Sequence, residues 1–140
     1  VVDAQSGAVK DVIYRLTLTS LAKEREFTNS ILLSRSRFDA QATRSLRFYR
    51  EYFNPEDSIE VQKHRRRFHI RYGGTDLAVN LDRIEKPADG GTFLAIKSRT
   101  WSRQDAERKA ALISDLLQLL EVPQAALVKA EYLDLAQDLL

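Results

Sequence analysis

The sequence predicts an α+β fold in which antiparallel strands form a meander or a barrel and a helix covers one face of the sheet. Two observations support this prediction. Six segments alternate apolar and polar residues with the two-residue period of a strand. Near residue 100 a helix-start signal follows, together with an apolar stripe of helical spacing. A chain of 140 residues, 44% of them hydrophobic, is long enough for one domain with its own core.

The six predicted strands occupy residues 10–20, 29–38, 46–53, 59–72, 77–85 and 92–101. Residues 39–43 suit a turn or a short helix, and Asn54-Pro55 ends the third strand. Gly73-Gly74 separates the fourth strand from the fifth. Two glycines between alternating segments are typical of a tight hairpin.

A helix is predicted over residues 102–120. Ser102 and Asp105 form a Ser-x-x-Asp start signal, and Trp101 is expected to pack on Ala106 as a hydrophobic staple. The apolar stripe of this helix consists of Ala106, Ala110, Ile113, Leu117 and Leu120. Residues 130–140 fit a strand and a helix equally well, because their periodicity does not distinguish the two.

The composition excludes several classes of site. The chain has no Cys, which removes disulfides, thiolate catalysis and cysteine metal sites, and its two His leave little for a histidine metal centre. No apolar run approaches the roughly 18–20 residues of a membrane span, so no membrane partner is expected. A cytoplasmic location fits the missing Cys. Because the chain begins at Val1 and contains no Met, we expect it to be the C-terminal module of a longer protein.

The basic residues are concentrated in the middle of the chain. Lys and Arg outnumber Asp and Glu by 14 to 9 over residues 28–99, whereas the ratio is 4 to 7 over residues 100–140. Alternate residues of a strand point to opposite faces. If the helix covers Leu94 and Ile96, the other face gathers the cations Arg35, Arg37, Arg65, Arg67, His69, Arg71, Lys97 and Arg99. Guanidinium groups match phosphate oxygens, so this face predicts polyanion binding. The alternative is a solvated face without a ligand.

Four short motifs follow one another between residues 52 and 97. They read YFNPED at 52–57, FHIRY at 68–72, LDRIE at 81–85 and FLAIK at 93–97. In this order they resemble the Tyr-Phe-Asp-Thr-Pro-Asp, Leu-Arg-Ile-Arg, Leu-Asp-x-Val-Glu and Phe-x-Glu-x-Glu motifs of the CYTH, or triphosphate tunnel metalloenzyme, superfamily. The resemblance implies a single CYTH-like domain over residues 1–140, folded as an antiparallel tunnel-type β-barrel with helices packed outside.

The resemblance also implies a ligand. In that superfamily inward Arg and Lys hold a triphosphate and paired carboxylates hold a divalent metal. The cations named above would therefore bind a triphosphate, a nucleotide or a polyphosphate. The family's Glu-x-Glu-x-Lys corresponds to LSRSR at residues 33–37, and Ala95 and Lys97 replace its second pair of Glu. Because all four metal carboxylates are missing, we expect a sensory or accessory binding domain, and the sequence does not identify a cofactor.

Alternative functions stay open. Asp82 and Glu85 could serve as substitute metal ligands, and with Mg or Mn the chain would then be a triphosphate hydrolase or a nucleotidyl cyclase. Arginines near aromatic residues such as Phe48, Tyr52 and Phe68 suit a nucleic-acid partner instead. A partner-binding domain that has lost its ligand is a further alternative.

Overall fold

The computed structural model describes residues 1–18, 24–26, 32–34 and 38–128. Its elements in chain order are β1 (Arg15–Leu18), β2 (Glu24–Glu26), β3 (Leu32–Ser34), β4 (Phe38–Gln41), α1 (Leu46–Phe53), β5 (Gln62–Tyr72), β6 (Thr75–Lys86), β7 (Thr92–Lys97), α2 (Arg103–Leu119) and a short 3-10 helix, Gln124–Ala126. The chain divides into two compact units. The first comprises Val1–Arg25 and Ser34–Asp57, and the second comprises Glu26–Leu33 and Ser58–Leu140.

Short strands form two small sheets near the start of the chain. β1 pairs with β4 in antiparallel fashion, with Arg15 opposite Gln41, and β2 pairs with β3. The predicted strand over residues 10–20 therefore contains β1. The prediction of a turn or short helix over residues 39–43 is wrong, because β4 extends to Gln41 and supplies the partner that β1 needs for its backbone hydrogen bonds.

Helix α1 occupies the segment that the alternation predicted to be a strand, so that prediction is wrong. The Ser45 hydroxyl accepts a hydrogen bond from Phe48 N at 3.2 Å and caps the first turn. The helix ends at Asn54, whose φ of 44° is left-handed. Phe48 and Tyr52, four residues apart, stack with ring centroids 6.0 Å apart. Side chains four residues apart are neighbours on a helix, whereas in a strand they are too far apart to stack, so this contact depends on the helix.

The second unit contains a three-stranded antiparallel meander in the order β5-β6-β7. The strands predicted over residues 59–72, 77–85 and 92–101 are confirmed with shifted ends, and so is the tight hairpin. Gly73 and Gly74 both have positive φ, 54° and 74°, as a two-residue turn of this hand requires. Tyr72 is therefore opposite Thr75, and the register continues regularly along the two long strands.

Helix α2 covers one face of the meander and confirms the predicted helix over residues 102–120. Ser102 Oγ accepts from Asp105 N at 3.1 Å. The buried residues of α2 are Ala106, Ala110, Ile113 and Leu116, and the core joins Leu77, Ile113 and Leu116 to partly buried Ile70, Tyr72, Ile96 and Leu117. The predicted staple is wrong, because Trp101 is 82% exposed. Its backbone N–H instead donates to the Asp105 carboxylate at 3.2 Å.

The α+β class is confirmed, but the tunnel-type barrel is wrong. The described strands form three separate sheets, two with two strands and one with three, and none of these closes. Helix α1 interrupts the alternating segments that a barrel would need as consecutive strands, and α2 follows β7 directly. Residues 35–37 of one predicted strand, and residues 130–140, lie outside the described residues. No helix in the described ranges is long and apolar enough to cross a membrane.

Candidate functional site

The meander of the second unit has two chemically different faces. Since side chains alternate along each strand, the register assigns every residue to one of them. One face packs on α2 through Ile70, Leu77 and Ile96. The other, which we call the cationic face, consists of Lys63, Arg65, Arg67, His69, Arg71, Asp76, Ala78, Asn80, Asp82, Ile84, Phe93, Ala95 and Lys97. Five of the eight predicted phosphate ligands therefore lie on one surface. Four of these five are exposed, namely Arg67, His69, Arg71 and Lys97, whereas Asn80, Asp82 and Ile84 are buried.

A buried carboxylate neutralises one end of the cationic face. Asp82 has no exposed surface, and Arg65 Nε and Nη2 donate to its two carboxylate oxygens at 2.7 and 2.6 Å. Lys63 Nζ lies 3.5 Å from the same carboxylate. Burial, reinforced by the charge of Arg65, lowers the pKa of Lys63, although Asp82 acts in the opposite direction. This end of the face is therefore internally compensated, and its cations are engaged before any ligand arrives.

At the other end of the face, Arg67, His69, Arg71 and Lys97 form no ion pair with the described residues, although Asp76 lies directly opposite Arg71. Arg67 Nε donates to the neutral Asn80 side chain at 3.1 Å. His69 and Lys97 are both opposite Ala78, one on each side of it, and Arg71 follows His69 on the same face. Directly opposite Cβ atoms in a sheet are about 5 Å apart. The small side chain of Ala78 thus lies among longer cationic ones that no described carboxylate pairs with.

Of the three remaining predicted phosphate ligands, the structure describes one, Arg99. Arg35 and Arg37 lie outside the described residues. Arg99 is exposed and follows the end of β7. Its backbone carbonyl accepts a hydrogen bond from Lys109 Nζ at 2.6 Å, which ties the β7–α2 connection to the helix.

The two predicted metal ligands are not brought together. Asp82 lies on the cationic face and binds Arg65. Glu85 lies at the irregularity in the β5–β6 register and pairs with Arg83, at 3.1 Å. Within the described part of the chain, no group of three or more His, Asp or Glu residues could hold a metal ion. The geometry therefore gives Asp82 the role of a counter-ion, and binding of Mg or Mn here stays a sequence prediction only.

Strand alternation did not reveal the neighbours of the predicted phosphate ligands. Lys63, Ala78 and Asn80 were not predicted to belong to the site, and Asp82 was predicted only as a metal ligand. A signal was available, because a two-residue turn at Gly73-Gly74 places residues 72 and 75 opposite each other and fixes every later pair. Counting outward from that turn brings Asp82 opposite Arg65.

Comparisons with known proteins leave the site to be understood from its own chemistry. No protein-family model matches the chain, and neither a curated protein nor a solved structure is significantly similar to it. The resemblance to the CYTH superfamily, which rests on short motifs, therefore stays a prediction, as does a single domain over residues 1–140. What the site can do depends on its charge and on the exposure of its cations.

Proposed function

We propose that this chain binds phosphate-bearing polyanions at the end of the cationic face that carries Arg67, His69, Arg71 and Lys97. The observation that supports the proposal is the group formed by Arg67, His69, Arg71 and Lys97 around Ala78, for which the described residues supply no ion pair. Like charges on neighbouring side chains repel one another, and an anion placed between them removes that repulsion. A phosphate is the best-matched anion, since guanidinium groups bind its oxygens through two parallel hydrogen bonds.

The contrast between the two ends of the face favours binding over simple solvation. Where charge compensation serves the fold, the sheet provides a buried carboxylate, as Asp82 does for Arg65 and Lys63. Between His69 and Lys97 the same sheet provides only the methyl group of Ala78, and beside Arg67 it provides a neutral amide. Asp76 lies opposite Arg71 but forms no ion pair with it within 4.0 Å. The proposed site therefore excludes Arg65, which the sequence analysis included, and consists of Arg67, His69, Arg71 and Lys97.

Binding, and not catalysis, is the function that this chemistry supports. Phosphoryl transfer depends on metal ions or equivalent groups that neutralise the developing charge and orient the phosphates. The carboxylate best placed for such a role, Asp82, already accepts two hydrogen bonds from Arg65. The expected sensory or accessory role and the cytoplasmic location accompany this proposal as predictions from the sequence.

Tripolyphosphate tests the proposal directly. At a hundredfold excess over its dissociation constant it should stabilise the chain by about 2.7 kcal/mol, measured as a shift of the unfolding transition at low salt. The dissociation constant, measured by calorimetry, should rise about tenfold on Arg71→Ala and on Lys97→Ala, since each change removes a charged hydrogen-bond donor.

Arg66→Ala is the matched control. Arg66 is an exposed arginine of the same strand, but its register opposite Leu81 places it on the other face. The change removes the same charge and should leave the dissociation constant within about twofold, since separate exposed charges are largely screened. No stabilisation by tripolyphosphate at low salt would refute the proposal, and so would equal losses for Arg66→Ala and Arg71→Ala.

A further inference from the structure

The connection between β7 and α2 presents an unusual aromatic side chain. Trp101 is the only Trp of the chain, and it is 82% exposed. Tryptophan is ordinarily well buried, because its large ring gains much from leaving water. The ring therefore exposes apolar surface and is not part of the core that joins the meander to α2.

The backbone that carries this ring is held firmly in place. Trp101 N donates to the Asp105 carboxylate at 3.2 Å. Lys109 Nζ donates to the Arg99 carbonyl at 2.6 Å and also contacts Asp105 at 2.9 Å. Both bonds link the connection to the first turns of α2. The structure thus anchors the main chain at Arg99 and at Trp101 itself, next to a ring that is 82% exposed, as a binding platform requires.

Trp101 is close in sequence to Lys97 of the proposed phosphate site. It follows Lys97 by four residues, which span at most about 14 Å when fully extended. Arg99 lies between them and is exposed. Cationic side chains next to an exposed aromatic ring are the combination by which proteins hold single strands, with phosphates on the cations and a base stacked on the ring.

The spacing of the cations favours the same class of ligand. Arg67 and Arg71 are four residues apart on β5, so their Cα atoms are about 13 Å apart. In an inorganic polyphosphate a single oxygen joins neighbouring phosphorus atoms, and the charges crowd more closely than this. In a nucleic acid a sugar separates successive phosphates. The described sheet does not close, so a long chain can continue beyond its edges.

We infer that the ligand of the cationic face is a single-stranded nucleic acid, with its phosphates on Arg67, Arg71 and Lys97 and one base stacked on Trp101. This inference rests on the proposed function and names its ligand class. An inorganic phosphate chain would use the cations alone and leave the ring in water.

Three probes distinguish the inference from the proposed function: an oligothymidylate of about eight nucleotides, an abasic oligonucleotide of the same length, and tripolyphosphate. The oligothymidylate should quench the fluorescence of Trp101, whereas the abasic strand and tripolyphosphate should not. In anisotropy titrations with labelled strands, Trp101→Ala should weaken oligothymidylate binding by about tenfold and leave the affinity for the abasic strand unchanged. Trp101→Tyr should restore most of the loss, because it keeps an aromatic face.

The outcomes separate the two proposals. If all three probes bind but oligothymidylate and the abasic strand bind equally well, without quenching, the inference is overturned and the proposed function stands. If none of the probes binds at low salt, both are overturned. Quenching by oligothymidylate together with its selective loss in Trp101→Ala supports both.

Discussion

The substitution Asp82→Asn tests the role of the buried carboxylate. It keeps the size of the side chain and removes the charge that faces Arg65 and Lys63. Removing one partner of a buried ion pair costs about 3–5 kcal/mol, because the remaining charge is left uncompensated. The Arg65 and Lys63 side chains retain 29% and 31% exposure, which lets water screen part of their charge. We therefore expect a loss near the lower limit, about 3 kcal/mol.

The loss is measurable by urea denaturation followed by circular dichroism in the far ultraviolet. Fluorescence is a poor probe of unfolding here, since Trp101 is exposed before unfolding begins. Asp76→Asn is the matched control. Asp76 is an exposed carboxylate on the same strand and face, opposite Arg71, with which it forms no ion pair. The control should change the free energy of unfolding by no more than about 0.5 kcal/mol. Equal effects of the two substitutions would refute the counter-ion role of Asp82.

Two further predictions concern the hairpin and the basic cluster. Gly73→Ala should destabilise the chain by about 2 kcal/mol in urea denaturation, because φ is 54° and the new Cβ would clash with Leu112 Cδ1. The Cβ added by Gly74→Ala would meet no atom within 4 Å, so this substitution should cost only the strain of a positive φ. A smaller loss of unfolding free energy for Gly73→Ala than for Gly74→Ala would contradict this prediction. Burial lowers the pKa of Lys63 below 10.5, so between its folded and unfolded pKa values unfolding takes up a proton, and the free energy of unfolding should rise with pH. Lys63→Met should abolish this rise, which lies below pH 10.5, whereas an identical rise in the variant would exclude Lys63 as its source.

Local signals explain which elements could be predicted. The glycine pair at Gly73-Gly74 and the Ser102 cap each determine structure through their own backbone geometry, so the hairpin and α2 were predictable. The segment of α1, LRFYREYF, alternates like a strand and also has helical spacing of its aromatic residues. Whether such a segment forms a helix or a strand depends on its N-cap and on the stacking of its aromatic rings. Closure into a barrel depends on contacts between distant strands, which no local pattern contains.

The candidate site shows the same division. Strand alternation was sufficient to predict that Arg67, His69, Arg71 and Lys97 share a face. It could not show that Arg65 is engaged by Asp82, since that contact depends on which residues of two strands are opposite each other. The exposure of Trp101 could not be predicted from the sequence either. The staple pattern predicts a packed ring, whereas the ring is exposed and the backbone N–H of Trp101 bonds to Asp105.

The order of the strands has a consequence for how the second unit folds. Each strand of the meander pairs with its neighbour in sequence, so its contacts are local and loop closure is entropically cheap. Electrostatic repulsion opposes the formation of the β5–β6 hairpin. Residues 63–67 read KHRRR, and their like charges repel one another until β6 brings Asp82 opposite Arg65. Screening ions therefore lower the barrier to hairpin formation. A polyanion present while the chain folds would neutralise the same cations, so the ligand of the finished face would also promote its formation.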